Sequence, residues 1–332
     1  MRDIAREAGV SAMTVSNVIN GREHKVSAVT RERVLAIIAK HNFVLDAAAS
    51  TLSSKRSDIV ALVYPTSPEP LANQHDAAFV GAVEHHVRET GRHLMIWAAK
   101  DVVQTGANLR TWRVDGAIFY GTLGGEVDNL DEKLEIPIVF VDNYSKSPRV
   151  NRVGIDDYRG GYLAARHLID NGHRRLGFVG PLDARVGVVR ERLRGFLAGA
   201  GDAGVEVDND HVYDTTARFQ AGHDRATELS TDRQRPTGLF ATADILAIGL
   251  LNGFLKNDVE VPGQVSLIGF DDIPEASHVL PALTTIRQDV GAKARAAVER
   301  LAGLIDPDRD PGDHVTLDVQ LVQRATVGPP AL

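Results

Sequence analysis

With 332 residues the chain is longer than one compact domain usually runs, and 43% hydrophobic usage is that of a globular protein, which excludes disorder as its main state. It has no cysteine, which removes disulfides, thiolate nucleophiles and thiolate metal sites, and its twelve histidines show no HExxH spacing. Residues 1 to 57 hold nine Lys or Arg against five Asp or Glu, a net +4, while the remainder carries −11. A basic head on an acidic body is the polarity expected when only the head meets phosphates.

From the start of the chain, Ile4, Ala5 and Ala8 form the apolar stripe of a short helix that stops at Gly9, a residue free to take positive φ. Ser11 is placed to cap a second helix in GVSAMTVSNVIN, Gly9 to Asn20. In it Val15, Val18 and Ile19 fall on a core face, while Ala12, Met13, Ser16 and Asn17 share another. Two short helices joined by a tight glycine turn form a helix-turn-helix, whose second helix enters the major groove. Ala12, Met13 and Asn17 then face base edges, since asparagine pairs twice with adenine, and alanine or methionine touches a thymine methyl. Ser11, Thr14 and Ser16 suit phosphate oxygens, and Asn20 ends the same DNA-facing segment. The alternative is a helical hairpin packed on the rest of the protein.

A third helix is expected from a Ser27 cap through Val34, Ile37 and Ile38 to near Asn42. The segment from Asp46 to Ser57 is small-residued and polar, with Leu52 its single large apolar side chain. It reads as a linker, or as a helix too short to stand alone that forms on a partner, with Leu52 as a wedge for a minor-groove base step. From Ile59 on, apolar runs at 59–64, 93–98, 116–120, 136–141, 175–180, 237–242 and 265–270 alternate with helical patterns such as Ala77 to Thr90, Tyr158 to Asn171, Arg190 to Gly201, Phe219 to Ser230 and Ile245 to Lys256. This is the α/β rhythm of doubly wound parallel sheets, over enough chain for two lobes. Ligands sit beyond the carboxyl ends of such strands, where Tyr64, Tyr120, Asp142, Asp244, Asp271 and Asp272 fall. Acidic and aromatic groups there suit a polyhydroxylated ligand, although each acid is also a plausible cap or turn residue. No GxSxG, GxxxxGK[ST] or strand-borne GxGxxG is present, and no enzyme is expected. No apolar run reaches the roughly 18 to 20 residues of a bilayer span and no signal peptide is visible, so a cytoplasmic protein without membrane contact is expected.

Five segments in order, GVSAMTVSNVIN, HLIDNGHRRLGFVG (167 to 180), PTGLFATADILAIGLL (236 to 251), VPGQVSLIGFDD (261 to 272) and PALTTIRQD (281 to 289), resemble the LacI family of transcription regulators. The resemblance implies a homodimeric repressor of double-stranded, pseudo-palindromic operator DNA: a three-helix helix-turn-helix head at 1–45, a hinge helix at 46–57 and a two-lobed effector domain, similar to periplasmic binding proteins, at 58–332. Lobe one is expected at about 59–156 with 289–315, and lobe two at about 157–288 with 316–326. The implied base-reading positions are Ala12, Met13 and Asn17, and the hinge leucine is Leu52. Effector contacts fall on Arg192 and Asp271, then Asp142 and Phe219, beside Tyr64 and Tyr120. No cofactor and no metal are implied. The implied effector is a sugar or sugar derivative; the alternatives are a nucleobase or other non-sugar corepressor, or a solute-binding sensor whose head binds no DNA.

Departures from the family pattern accompany the likeness. Asn17 stands where arginine commonly reads guanine, Leu45, Asp46 and Ser50 replace Pro, Asn and Arg before the hinge, and Ala243 replaces a sugar-binding asparagine. The stretch from Trp97 to Trp112 is short, and with no capping threonine ahead of Asp3 the natural start is expected a few codons upstream of Met1.

Overall fold

The computed structural model describes residues 1–19, 25–41, 56–65, 73–99, 102–121, 134–145, 150–183, 187–306, 308 and 314–331. The expectations for Asn20, Asn42, Leu45, Asp46, Ser50 and Leu52 lie outside these residues. The chain divides into two compact units, Met1–Ser57 and Asp58–Leu332.

The first unit holds α1 (Arg2–Ala8), α2 (Ala12–Ile19) and α3 (Ala28–Lys40). Gly9 ends α1 in the left-handed region at φ 63°, and its N–H returns to the α1 carbonyls of Ala5 and Arg6. Ser11 Oγ accepts from the Thr14 N–H at 3.1 Å and Ser27 Oγ from the Thr30 N–H at 3.4 Å, so each later helix starts on a serine cap. Ile4, Ala5, Ala8, Val15, Val18 and Val34 form the small buried core, with Ile19, Ile37 and Ile38 packed against it. Glu7 bonds to Lys40 Nζ at 2.7 Å and to His41 Nε2 at 2.6 Å, tying the end of α1 to the end of α3.

The second unit is built on two six-stranded sheets. The first runs β11 (Val315–Leu317), β5 (Arg152–Ile155), β4 (Ile138–Val141), β3 (Gly116–Tyr120), β1 (Ile59–Pro65), β2 (His93–Ala99), all parallel. The second runs β12 (Gln320–Val322), β10 (Thr284–Arg287), β9 (Ser266–Asp271), β8 (Gly238–Ala241), β6 (Leu176–Gly180), β7 (Val212–Asp214), parallel except for the β10–β12 pair. The central strands are buried along their length because helices cover both faces, which is why they read as continuous apolar runs rather than alternating ones.

Around the first sheet lie α4 (Gln74–Glu89), α5 (Val102–Thr111) and, later in the chain, α11 (Val290–Ile305), whose Ala294, Ala297, Val298 and Leu301 share a core with Val60, Leu62, Phe79 and Val83. Around the second lie α6 (Asp157–Asp170), α7 (Gly187–Gly201), α8 (Phe219–Thr231), α9 (Asp244–Lys256) and the short α10 (Pro274–His278). The chain thus passes between sheets three times, from β5 to α6, from β10 to α11 and from β11 to β12. Among the described residues no helix is long and apolar enough to cross a membrane.

Candidate functional site: a reading helix and an interlobe cleft

In the first unit, α2 presents Ala12 and Met13 to solvent, Met13 with 67% exposure, while Val15 and Val18 are buried beneath them. Asn17 and Ser16 are half-buried on the flank. Ser11 and Thr14 are joined by their hydroxyls at 3.0 Å as well as by the cap, which fixes both at the N-terminus of α2. The large apolar Met13 stays exposed because the core is already filled from the opposite face of an eight-residue helix.

In the second unit, strand ends and helix starts from both lobes meet. From the second lobe, Arg192 of α7 is 8% exposed and lays its guanidinium over the Phe270 ring, 3.5 Å from the centroid. It donates from Nε to Asp157 Oδ1 at 2.7 Å and from Nη1 to the Thr242 carbonyl at 2.5 Å. Burial opposes its charge, yet Asp157 and Asp271 hold its pKa above the ordinary value. Asp157 also accepts the Tyr144 hydroxyl from the first lobe. Burial, outweighing Arg192, raises the Asp157 pKa.

From the first lobe, the Lys293 ammonium is fully buried and donates to Asp142 Oδ2 at 2.7 Å and Gln288 Oε1 at 2.8 Å, beneath the rings of Phe79 and Tyr120. Gln288 in turn donates to Asp271 Oδ1 at 2.7 Å. The run Asp142–Lys293–Gln288–Asp271 therefore links the β4 end in one lobe to the β9 end in the other. Tyr120 stacks on Phe79 at 4.4 Å and donates to Asp76 Oδ1 at 2.7 Å; burial, then Asp76 and Asp142, raises its pKa well above 10.

His75, 7% exposed, places Nδ1 3.8 Å from Asp271 Oδ1. Burial and then Lys293 push its pKa down to about 3, so the ring is neutral and this contact is not an ion pair. Burial pushes Asp271 up to about 6 and Asp244 up to about 7. Asp142 and Asp271 both take positive φ, 57° and 122°, as does Asp272 at 61°. Two cavities flank the cluster. One of about 330 Å³ includes Asp142, Tyr144, Asp157 and Glu191; the other, of about 310 Å³, includes Gln74, His75, Asp271, Arg287 and Gln288.

The structure thus brings Arg192, Asp271, Asp142 and Tyr120 into one cluster. Tyr64 is half-buried at the end of β1, paired with Ala98. Phe219 opens α8 with 37% exposure, its backbone carbonyl against Gly249, and makes none of the cluster's contacts described above. Asp244 is held by the Ile273 N–H at 2.9 Å and the Thr285 hydroxyl at 2.5 Å, and Asp272 is paired with Arg287 and Arg324; both work as local braces. His75, Tyr144, Asp157, Gln288 and Lys293 escaped the sequence reading. For Lys293 a signal existed, because it lies on the stripe of Ala297 and Leu301, where a charge must be buried and paired. Outside the cleft His85, His86 and Glu89 cluster on α4. Arg88 Nη2 lies 3.4 Å from His85 Nδ1 and Glu89 Oε1 lies 3.4 Å from its Nε2, so both ring nitrogens of this exposed histidine face a neighbouring side chain.

A helix-turn-helix with an exposed recognition face, followed by a two-lobed unit with a polar cleft, defines the class of ligand-responsive DNA-binding proteins. Residues 1–46 match the description "Bacterial regulatory proteins, lacI family", and residues 165–327 match "Periplasmic binding protein-like domain". The chain is 30% identical to the HTH-type transcriptional regulator DegA of Bacillus subtilis, covering 98% of this chain and 97% of that one. It is 29% identical to the HTH-type transcriptional repressor PurR of Photobacterium profundum, with 98% of each chain covered. Among solved structures, the lac repressor dimer bound to operator and the anti-inducer ONPF superposes with a TM-score of 0.87 at 26% identity, over 98% of both chains. The chain belongs to the lacI family of bacterial regulatory proteins, DNA-binding transcription regulators that carry an effector-binding domain.

Proposed function

We propose that this chain is a cytoplasmic, homodimeric repressor without enzymatic activity, whose operator affinity is set by a sugar or sugar derivative bound between the lobes. In this reading residues 1–45 read DNA, 46–57 form the hinge, and 58–332 bind effector and a second copy of the chain. The observation that carries it is the hydrogen-bonded run from Asp142 through Lys293 and Gln288 to Asp271, because a ligand that contacts either end acts on both lobes. Ala12, Met13 and Asn17 are the base-reading side chains, with Leu52 assigned to the hinge.

The test uses the full chain and a pseudo-palindromic duplex, with binding followed by fluorescence anisotropy across a salt series. Log affinity should fall linearly with log salt, with a slope of about −0.9 per phosphate neutralised. Absence of salt-dependent duplex binding would reject the reading. Sugars that weaken the complex support the sugar effector, whereas a nucleobase that tightens it would replace that effector with a corepressor.

A further inference from the structure

At the facing strand ends Arg192 and Lys293 stand among the carboxylates of Asp76, Asp142, Asp157, Asp244 and Asp271, with Asp272, Arg287 and Arg324 paired beside them. Arg192 is matched to Asp157 and Lys293 to Asp142, while Asp76 accepts from Tyr120, and Asp244 from Thr285 and the Ile273 N–H. Asp271 is different. It is 7% exposed, its side-chain hydrogen bond comes from the neutral amide of Gln288, and among the described residues no Lys or Arg nitrogen lies within 4.0 Å.

Asp271 lines the 310 Å³ cavity together with His75, whose buried Nδ1 has no hydrogen-bond partner. Arg287, the cation in that lining, is already held by Asp272 at 2.6 Å. Just beyond, Glu275 Oε2 is a further buried acceptor without a partner, its other oxygen taking the Gln74 amide at 2.7 Å. The cavity therefore presents a carboxylate that no cation touches, with Arg192 and Lys293 acting on it only from farther off, and a buried imidazole nitrogen without a hydrogen-bond partner. An anionic ligand entering here would meet Asp271 as a like charge, whereas Asp272 is already paired with Arg287 and Arg324. A hydroxyl brings one donor and two lone pairs, whereas an ammonium brings three donors, a charge and no acceptor.

We propose that the effector presents a protonated amine to this cavity, where it pairs with Asp271 and donates to Nδ1 of His75, which makes the ligand class an amine-bearing sugar. The proposal rests on the interlobe effector reading given above and narrows it. Burial raises the Asp271 pKa, and a ligand cation works in the opposite sense, so binding is coupled to loss of a proton from that carboxyl.

The experiment is isothermal titration of the full-length protein with matched pairs: glucosamine and glucose, galactosamine and galactose, mannosamine and mannose. N-Acetylglucosamine and a hexose phosphate serve as neutral-amide and anionic comparisons. In at least one pair the aminated member should bind about tenfold or more tighter than its hydroxyl partner. N-Acetylation should remove that gain, and Asp271→Asn should bring the aminated and hydroxyl members of each pair to equal affinity, read in the same titrations. Equal or tighter binding of the hydroxyl members or of the hexose phosphate, or no binding by any aminated sugar, overturns the proposal. A neutral ligand that still shifts operator affinity would leave the interlobe effector reading intact, whereas loss of duplex binding by the wild-type chain removes that reading instead.

Discussion

At Arg192 a stacking contact, an ion pair and a backbone carbonyl converge on one guanidinium, and only a planar fork meets all three at once. Truncation to alanine strands Asp157 as a buried unpaired carboxylate, at a cost of about 3–5 kcal/mol. Arg192→Lys keeps the charge but not the fork: it should retain operator binding and lose the effector response, read by anisotropy with and without ligand. An unchanged response would remove Arg192 from the effector's contacts. On the reading helix, Asn17→Ala should relax preference at one base pair by about 1–3 kcal/mol and leave non-specific binding in place. A uniform loss across duplex sequences would assign Asn17 to phosphate contact instead. Arg192 and Asp271 could be picked out in the sequence because their neighbours resemble family motifs. His75 could not, and the helical stripe marks Lys293 as buried without showing its partner, because Lys293 meets Asp142 across 151 positions.

The strongly periodic helices and continuous apolar strands were legible in the sequence to within a few residues, as with Arg190 to Gly201 against the observed Gly187–Gly201. The short strands β5, β7, β10, β11 and β12 were not, since unlike the equally short β4 and β8, buried along their whole length, they mix polar and partly exposed residues into three or four positions. Nor did the pattern show how closely α6 and α7 approach. A Cβ on Gly161 would stand 1.9 Å from the Arg192 carbonyl oxygen, and one on Gly195 would stand 1.8 Å from that of Tyr158. Both are backbone atoms that cannot step aside. Gly161→Ala should therefore destabilise by about 1–3 kcal/mol despite alanine's better helix propensity, as measured by urea unfolding. Because the same contact seats Arg192, the effector response should weaken with it. A stabilised variant would show that α7 can shift without cost.

For the effector unit as a whole, the buried cluster couples stability to pH in two opposing ways. His75, at about 3 in the folded protein against an ordinary 6.5, contributes stability that is present above pH 6.5 and lost as pH falls toward 3. Asp271 and Asp244, at about 6 and about 7 against 3.8, contribute stability that is present below pH 3.8 and lost as pH rises through 6 to 7. Relative to Asp271→Asn, wild-type stability should therefore fall by about 1 kcal/mol between pH 5 and pH 7, in urea unfolding at the two pH values. A difference that stays flat would mean that Asp271 titrates as an exposed carboxylate does.

The positive φ of Asp142, Asp271 and Asp272 has an evolutionary consequence. At each of these positions glycine would relieve backbone strain while deleting a carboxylate that either faces the cleft or braces it. At Asp142 and Asp272 the ion pairs to Lys293, Arg287 and Arg324 hold the acids against that relief, whereas the Asp271 side chain is held by the neutral Gln288 amide. A descendant of this chain released from any need to respond to a ligand should shed Asp271 first, leaving a glycine at that strand end as the record of a sensor turned constitutive.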